Sequence, residues 1–396
     1  MSKSHLSPMM RKGLALSLLG GMIGVGTAEM IPPQSIPTAR ILKTASENVR
    51  KHPSDPDAFY ALGRIQYVIY CSNDPRAIAM YSGKPPFQFP SRSPNSWEFQ
   101  GMRLKSDPAT KKLVHSAIAN LKSAIRLDKG REPGLYALTL ACVYEAAAPI
   151  ASKLNPKTTK QAFLDAAYWY YAQSFNEARK GDLGQPYAQI SGSYEPWISV
   201  EAGEAMLRLV PKRNEKIVRK HLAEIKGKPG GPITPILFSL SSAKPLEELL
   251  DASKRVKFDL DGTGSPQEYG WTRPDTAILV WQPDPRVPIT SGRQLFGSAT
   301  WWMMYRDGYA ALAALDTDGN GWLEGKELQG LAVWRDADQD GVSDPGEVTP
   351  LAGAGVRGLV TRSKAKSGRS PYHPQGVRLD DGRVLPTYDW VTKSGS

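Results

Sequence analysis

The chain has 396 residues and a formal net charge of +11 at pH 7. Its length predicts two or three domains, and its two cysteines are too few for a fold stapled by disulfides. The basic excess lies in residues 29–250, with 30 basic and 20 acidic side chains, whereas residues 251–396 have 17 and 19. No nucleic-acid-binding motif accompanies this charge, so we expect no nucleic-acid partner.

The first 28 residues have the pattern of a secretory signal peptide. Lys3, Arg11 and Lys12 precede an apolar run at residues 14–28 that ends on small residues. This run is shorter than the ~20 apolar residues of a membrane-spanning helix, so an uncleaved anchor is the less favoured alternative. We therefore expect a secreted, periplasmic or cell-surface protein, with no transmembrane segment after signal removal.

Cys71 and Cys142 both fall in segments with helical periodicity. A disulfide requires Cα atoms about 4.4–6.8 Å apart, which is demanding for residues fixed on two helices. Two buried free thiols are the preferred interpretation. A disulfide formed in an oxidising compartment is the alternative.

Residues 29–225, here called the helical region, have the spacing of packed helices. Ala, Leu and aromatic residues recur every three or four positions between Pro- and Gly-rich loops. Gly63, Tyr67, Ala117 and Ala124 stand at places that resemble the small and aromatic positions of the tetratricopeptide repeat (TPR). This resemblance implies an all-α helical-repeat domain, interrupted by a Pro-rich insert at residues 72–108.

Helical arrays of this kind often hold a peptide on a concave surface. The aromatic run at residues 168–171 would suit such a groove, although aromatic residues on helices more often form core. The expected partner is an unknown protein or an anionic envelope polymer bound through the basic helices. A merely solvated basic face is the alternative interpretation.

The Gly- and Pro-rich run at residues 226–232 is the clearest linker in the chain, and we place the domain boundary at residues 226–234. After it, short apolar stretches alternate with Asp/Gly turns. We expect residues 235–396, here called the C-terminal module, to form a small α+β domain. The fold class predicted for the whole chain is therefore multidomain, with an all-α part and an α+β part.

The C-terminal module contains two twelve-residue segments with the ligand pattern of an EF-hand calcium loop, loop 1 at residues 316–327 and loop 2 at residues 336–347. Oxygen-bearing side chains occupy positions 1, 3, 5, 9 and 12, position 7 would offer its carbonyl, and glycine stands at the sharp turn. Ca²⁺ is the cation that such a set of hard oxygens predicts. The predicted ligands are Asp316, Asp318, Asn320, Trp322, Glu324 and Glu327 in loop 1, and Asp336, Asp338, Asp340, Val342, Asp344 and Glu347 in loop 2.

The order of short motifs in the C-terminal module resembles the calcium-binding modules of secreted repeats-in-toxin, haemolysin-type bacterial proteins. The resemblance implies EF-hand-type calcium loops but not toxicity, because the glycine-rich nonapeptide repeats of those toxins are absent. It covers about 40% of the chain. The matching pieces are residues 258–262, 270–271, 295–297, 311–316, 333–336, 381–382 and 389–390.

Two further segments depart from that family pattern. Asp259, Asp261 and Thr263 begin a loop with Gly270 at its twelfth position, so they form at most a weak metal site. In residues 282–288, an arginine and a valine replace a ligand and the turn glycine. We expect no metal in that segment.

Only the eight residues from Leu328 to Arg335 separate the two loops. This length corresponds to about two helical turns, which predicts one short helix shared by both loops. A calcium sensor changes the angle between two long helices. Since there is little helix to move, we expect calcium to order the C-terminal module structurally and to affect the helical region very little.

The sequence lacks the motifs of common catalytic sites. No Gly-x-Ser-x-Gly elbow, P-loop or His-Glu-x-x-His motif occurs, and the five histidines lack metal-ligand spacing. We therefore do not expect an enzyme. The least favoured alternative is a cell-envelope glycan-cleaving enzyme that uses Glu195 or Glu201 as an acid.

The expected function is that of an exported calcium-binding protein with an interaction, adhesion or envelope-scaffold role. The alternative is a TPR-type adaptor in which the calcium module is a rigid cap. In the first case calcium is needed for attachment, and in the second the helical region binds its partner alone.

Overall fold

The computed structural model describes residues 30–71, 77–81, 107–132, 134–184, 198–225, 233–262 and 266–392. The predicted signal peptide, most of the Pro-rich insert and most of the linker lie outside these residues, as do Glu195 and Thr263. Cys142 is a buried free thiol. The side chain of Cys71 is outside the described part of the chain.

The helices of the helical region pack against one another in chain order. Their predicted helical character is confirmed, whereas the TPR resemblance stays a prediction. Strands β1 (Met30–Ser35) and β2 (Ala77–Tyr81) form a separate antiparallel ribbon. The helices are α1 (Thr38–Lys51), α2 (Pro56–Cys71), α3 (Pro108–Leu127), α4 (Leu135–Ala147), α5 (Ala151–Leu154), α6 (Lys160–Gly184), α7 (Ile198–Leu209) and α8 (Glu215–Ile225).

Small residues bring α2 and α3 together. Gly63 lies so close to α3 that a Cβ at this position would stand 2.6 Å from Leu121 Cγ. Ala117, Leu121 and Ala124 have no exposed surface. The small residues that suggested a close helix pair in the sequence therefore do lie in such a contact.

The segment Leu135–Leu154 is long and apolar enough to cross a membrane by composition alone. The sequence analysis expected no membrane-spanning segment after the signal peptide and did not consider this one. In the structure 78% of this segment is buried inside the protein. Its apolar character is accounted for by the core of the helical region, where α4 packs between α3 and α6.

The C-terminal module is dominated by a nine-stranded antiparallel sheet, counted over the described residues. Its strand order is β7, β10, β12, β13, β3, β6, β8, β9, and β11 pairs with β12. The strands β3, β6 and β8 are buried along their whole length, as their unbroken apolar sequences require. The bounds are β3 (Ile236–Ser239), β6 (Thr276–Trp281), β7 (Trp322–Glu324), β8 (Leu331–Trp334), β9 (Val348–Pro350), β10 (Val356–Val360), β11 (Ala365–Ser367), β12 (Ser370–Leu379) and β13 (Val384–Asp389).

A separate hairpin of β4 (Leu250–Phe258) and β5 (Gln267–Thr272) packs beside this sheet. An aromatic cluster joins the two, since the rings of Phe258, Trp271 and Trp334 have centroids 5.6–5.9 Å apart. Helix is limited to short segments in the described part of the module, namely α9 (Leu246–Leu249), α10 (Gly308–Ala313) and 3₁₀ turns at Thr300–Trp302 and Gly325–Leu328.

The predicted fold class of the C-terminal module, a small α+β domain with EF-hand-type helices, is wrong, because an antiparallel sheet forms its body. The shared helix predicted between the loops is also wrong. After the 3₁₀ turn, Gly330 adopts φ +84°, which ends helical geometry, and Leu331–Trp334 becomes strand β8. A fully buried Leu-Ala-Val-Trp run gains more from pairing between β6 and β9 than from two turns of helix.

The first and last paired segments of the C-terminal module are neighbours. Ile233 and Thr392 exchange two backbone hydrogen bonds, with N–O distances of 2.6 and 2.9 Å. Next to them, β3 and β13 pair in the interior of the sheet. The module therefore closes on itself at the place where the helical region joins it.

The helical region and the C-terminal module share one continuous hydrophobic core. Polar contacts reinforce this junction. Arg64 of α2 is fully buried and donates to the Trp302 carbonyl at 2.9 Å, and the Tyr60 hydroxyl donates to the Met303 carbonyl at 3.3 Å. The two parts are therefore packed together and are not joined by the linker alone.

Candidate metal centres

Loop 1 begins shortly after α10, and it contains strand β7 and most of the 3₁₀ turn Gly325–Leu328. Its first residue, Asp316, is 8% exposed and accepts two backbone hydrogen bonds, from Gly319 N at 2.7 Å and from Gly321 N at 2.9 Å. Gly321 has φ +89°, a conformation that favours glycine. The sharp turn predicted at this glycine is therefore present, and it folds the loop around the first carboxylate.

Loop 2 connects β8 to β9, which pair directly as a hairpin. Asp336 is completely buried and accepts hydrogen bonds from Asp340 N at 3.2 Å and Gly341 N at 2.9 Å. Gly341 has φ +78°. Loop 2 thus repeats the turn of loop 1 around its own first aspartate, although a strand precedes it instead of a helix.

The glutamates at position 12 also adopt one common arrangement. Glu327 Oε1 accepts from Thr317 N, and Glu347 Oε1 accepts from Ala337 N, both at 2.6 Å. In each loop the last carboxylate is thereby brought back to the residue that follows the first aspartate. The two loops close in the same way despite their different flanking elements.

A third hydrogen bond that both loops share links positions 5 and 7. The side-chain oxygen of Asn320 accepts from Trp322 N, and that of Asp340 accepts from Val342 N, both at 2.7 Å. The side chain of Trp322 is partly exposed and that of Val342 is exposed. Position 7 is therefore fixed through its backbone, as the ligand pattern requires.

Each loop gathers three carboxylates whose nearest oxygen atoms all lie within 4.8 Å of one another. Ca²⁺ binds oxygen at about 2.3–2.6 Å, so two ligands on opposite sides of one ion stand about 4.6–5.2 Å apart. The oxygen spacing therefore fits a single Ca²⁺-sized ion in each loop. The gathered residues are Asp316, Asp318 and Glu327 in loop 1, and Asp336, Asp338 and Asp340 in loop 2.

Some predicted ligands lie outside these clusters. Glu324, at position 9 of loop 1, forms an ion pair with Arg378 of β12 at 2.5 Å. In loop 2, Glu347 Oε2 accepts from Asp344 N at 3.1 Å and from Trp334 Nε1 at 3.2 Å. Position 9 is therefore used for other contacts in loop 1, and the position 12 carboxylate of loop 2 is held by its own hairpin.

The two segments that depart from the family pattern, at residues 259–263 and 282–288, do not bring carboxylates together in this way. Asp259 is buried and belongs to an isolated bridge with Ser291, and neither Asp259 nor Asp261 joins an acidic cluster among the described residues. In residues 282–288, Arg286 Nη2 pairs with Asp284 Oδ2 at 2.7 Å. A guanidinium therefore lies beside the carboxylate that this segment would offer to a metal.

The first aspartate of each loop has a pKa above the usual range. Burial raises the pKa of Asp316, and the nearby Glu327 carboxylate adds to the rise. Burial and Glu347 have the same effects on the pKa of Asp336. A divalent cation would offset both causes, because it places positive charge beside carboxylates that have been removed from water.

Basic residues around loop 1 are a feature that the sequence reasoning missed. Arg40 of α1 donates through Nε to the Leu315 carbonyl and through Nη2 to the Glu327 carbonyl, both at 2.9 Å. A Cβ built on Gly319 would lie 2.5 Å from Lys51 Nζ, so this ammonium group lies over the loop. The helical region therefore contacts the residue just before loop 1 and the last residue of the loop.

Loop 2 is supported by the hairpin of β4 and β5 instead. Trp271 Nε1 donates to Asp336 Oδ2 at 2.5 Å, and Gln339 Nε2 donates to the Thr272 carbonyl at 2.8 Å. Val256 packs on Gly341 so closely that a Cβ there would stand 2.4 Å from Val256 Cγ1. The hydrogen bonds described for loop 2 come from the C-terminal module, and none of them comes from an arginine or lysine of the helical region.

Glu201, one of the two residues considered as a catalytic acid, lies on α7 and is 4% exposed. The structure buries it in the helical region, away from both acidic clusters. It therefore does not join the candidate site.

Part of the chain is similar to known proteins. The family model of the SPM domain matches residues 247–380. A stretch of 107 residues is 34% identical to the iron-regulated protein FrpA of Neisseria meningitidis serogroup C. The matched stretch covers 26% of this chain and only 10% of that protein. The similarity therefore concerns a module, which includes both acidic loops in the case of the SPM domain.

Proposed function

We propose that this chain is an exported calcium-binding protein in which loops 1 and 2 each hold one Ca²⁺ and the bound ions order the C-terminal module. The observation that carries the proposal is the convergence of three carboxylates in each loop, with oxygen spacing suited to one ion. The matching turns and the matching bonds of the position 12 glutamates support it. Two unrelated solvated turns would have no reason to repeat these bonds.

Ca²⁺ suits this donor set better than Mg²⁺. The donors are several carboxylate oxygens gathered around one point, whereas Mg²⁺ demands near-ideal octahedral geometry and keeps several waters. The clusters contain no histidine or cysteine, which zinc would favour. We expect affinities of about 10⁻⁴–10⁻³ M, as in other extracellular calcium modules.

A structural role follows from what flanks the loops. Loop 2 joins two paired strands, and loop 1 follows the six-residue helix α10 and ends in a 3₁₀ turn of four residues. Neither loop lies between two long helices that could change their angle, which is how a sensor EF-hand responds. Calcium bound to the folded form alone would add about 2.7 kcal/mol of stability at a hundredfold excess over Kd.

The central test is isothermal titration calorimetry of the full chain with CaCl₂. We expect two ions per chain, and about one in Glu327→Gln, which removes a clustered carboxylate charge. Glu324→Gln is the matched control, because it lies in the same loop but pairs with Arg378 outside the cluster. Absence of binding at millimolar calcium, or equal loss in the control, would contradict the proposal.

A protein-binding adaptor is the second candidate, and one observation favours it. Within the aromatic run on α6, Tyr168 and Tyr171 are buried, but Trp169 is 61% exposed. The ring of Tyr170 stacks on Tyr144, with centroids 5.7 Å apart, beside it. Capture of an envelope protein by the full chain that is lost in Trp169→Ala but unaffected by chelator would favour the adaptor over calcium-dependent attachment.

A further inference from the structure

The charge of the C-terminal module is divided unevenly along the chain. Residues 348–379 have six basic and no acidic side chains, whereas residues 251–396 as a whole have 17 and 19. Four of the six basic residues lie close together in sequence and are exposed, namely Arg362, Lys364, Lys366 and Arg369. We call residues 362–373 the basic hairpin. An exposed surface of one charge sign attracts partners of the opposite sign.

The register of β11 and β12 decides which face of the hairpin these side chains occupy. Ala365 pairs with Tyr372 and Lys366 with Pro371, and Lys364 N continues the ladder by donating to the Tyr372 carbonyl at 3.0 Å. Successive side chains of a strand lie on opposite faces. Lys364 and Lys366 therefore share one face, here called the lysine face, and Ala365 and Tyr372 share the other.

The face opposite the lysine face anchors the hairpin to the sheet. Ser370 is buried, and its hydroxyl oxygen accepts a hydrogen bond from Val391 N at 3.0 Å. The ring of Tyr372 stacks on that of Tyr388, with centroids 5.4 Å apart and planes 11° apart. These contacts fix the orientation of the hairpin, so the exposed lysine face is held toward solvent.

The charges of the lysine face have no acidic neighbours to compensate them. Among the described residues, Lys364 and Lys366 form no ion pair, although the basic residues that flank the hairpin do. The flanking pairs are Arg357 with Asp380, Arg378 with Glu324 and Arg383 with Asp381. An anion that binds the lysine face would therefore not have to displace a carboxylate of the protein itself.

A linear polyanion fits the lysine face better than a lipid surface or a nucleic acid. Lys364 and Lys366 stand two positions apart on one strand, so their charges lie in a line and about 7 Å apart along it. The hairpin has no exposed large apolar side chain that could enter lipid. The ring of Tyr372 is stacked on Tyr388 at the opposite face, so it does not offer a platform for a base.

We propose that the lysine face of the basic hairpin binds a linear acidic polysaccharide that carries carboxylate groups along its length. An ammonium group has three donors and no acceptor, and a carboxylate has only acceptors, so the two are complementary. This surface is distinct from the basic helices to which the sequence analysis assigned an anionic polymer. It contains none of the clustered carboxylates of loops 1 and 2, so the proposal does not rest on calcium.

The test is fluorescence anisotropy of a labelled hyaluronate oligosaccharide titrated with the full chain. Binding is expected at low salt and should be lost at high salt, because the contacts are exposed charges. The double variant Lys364→Gln with Lys366→Gln should bind about tenfold more weakly. Lys364→Arg with Lys366→Arg retains both charges and should bind as the parent chain does, which separates loss of charge from loss of folding.

The matched control is Lys153→Gln with Lys157→Gln, which removes the same charge from exposed positions of the helical region. Its affinity for hyaluronate should be unchanged. Equal weakening in the two double glutamine variants would overturn the proposal, since the net charge of the chain alone would then explain binding. Absence of hyaluronate binding at low salt would overturn it as well. Binding to phosphatidylglycerol vesicles without binding to hyaluronate would make the hairpin a membrane contact instead.

His373 provides a second readout at the lysine face itself. Burial lowers the pKa of His373, and the nearby Lys364 ammonium group adds to the decrease. A carboxylate bound at Lys364 offsets that charge, so saturating hyaluronate should raise the pKa of His373 in a titration followed by NMR. If hyaluronate binds and the pKa of His373 stays the same, the polysaccharide occupies another surface and the assignment to this hairpin is wrong.

Discussion

Loops 1 and 2 have the same ligand pattern, but they are built into different surroundings. Loop 1 lies against Arg40 and Lys51 of the helical region. Arg40 bonds to the carbonyls of Leu315, just before the loop, and of Glu327, its last residue, and the Lys51 ammonium group lies over Gly319. Loop 2 contacts the hairpin of β4 and β5, through Trp271 and Gln339. Two loops with the same pattern of oxygen side chains are therefore in contact with two different parts of one molecule.

This difference changes what calcium is expected to do. The sequence predicted that calcium would order the C-terminal module and that the helical region would respond little, because the short spacer between the loops leaves little helix to move. Arg40 of α1, however, donates a hydrogen bond to the carbonyl of Leu315, which lies 275 positions further along the chain. Calcium in loop 1 should therefore stabilise α1 as well as the C-terminal module, whereas calcium in loop 2 should stabilise β4 and β5.

The largest effect is expected from neutralising the first aspartate of each loop. Asp316→Asn and Asp336→Asn each remove the buried carboxylate charge that organises the turn, so each should lose its own ion and about 2–4 kcal/mol of calcium-dependent stability. Hydrogen exchange in calcium should show lost protection in α1 for the first variant and in β5 for the second. If protection is lost only within the loops in both variants, calcium in the two loops does not stabilise different neighbouring elements.

A smaller effect is expected from Arg40→Met, which keeps the apolar stem but removes the donors. Two backbone carbonyls would lose a charged partner, and we expect a loss of about 1.5–3 kcal/mol in the free energy of unfolding. Calcium should then no longer protect α1, while protection of β5 by loop 2 persists. Arg40→Lys is the control, because it retains the charge but reaches only one carbonyl at a time. If α1 still gains protection in Arg40→Met, another contact carries the coupling.

The smallest effect is expected from Lys51→Met. Lys51 is exposed, and its ammonium group lies over Gly319 of loop 1. Its charge repels a bound cation, so its removal should tighten calcium binding in loop 1 by about two- to fivefold at low salt. Binding in loop 2 should not change, and the gain should shrink at high salt. Titration by calorimetry at two ionic strengths measures both. An equal gain in the two loops would indicate a general charge effect.

Local patterns were predictable where each residue contacts its sequence neighbours. Gly321 and Gly341 were assigned to sharp turns because the ligand spacing requires them, and both have positive φ. The close pair of α2 and α3 was legible from Gly63 facing Leu121. The turns depend on backbone geometry within a dozen residues, whereas the helix pair was predictable because small residues recur on one face of each helix.

The features that the sequence did not reveal depend on distant pairing. Leu331–Trp334 became a strand because β6 and β9 bind it on both sides, and an eight-residue spacer gives no hint of those partners. Glu324 was predicted to be a ligand, but it forms an ion pair with Arg378 of β12, two strands away in the sheet. The contact of Arg40 with loop 1 has no local signal at all. An isolated arginine on a helix is normally a solvated residue.

The hydrogen bonds between Ile233 and Thr392 have a consequence for how this unit can be reused. The two ends of the C-terminal module lie side by side, so the distance between them is short. A unit of this kind can be spliced into a surface loop of an unrelated domain without forcing the two ends of that loop apart. A circular permutant that joins these ends and opens the exposed turn at Asp381 is likewise expected to fold.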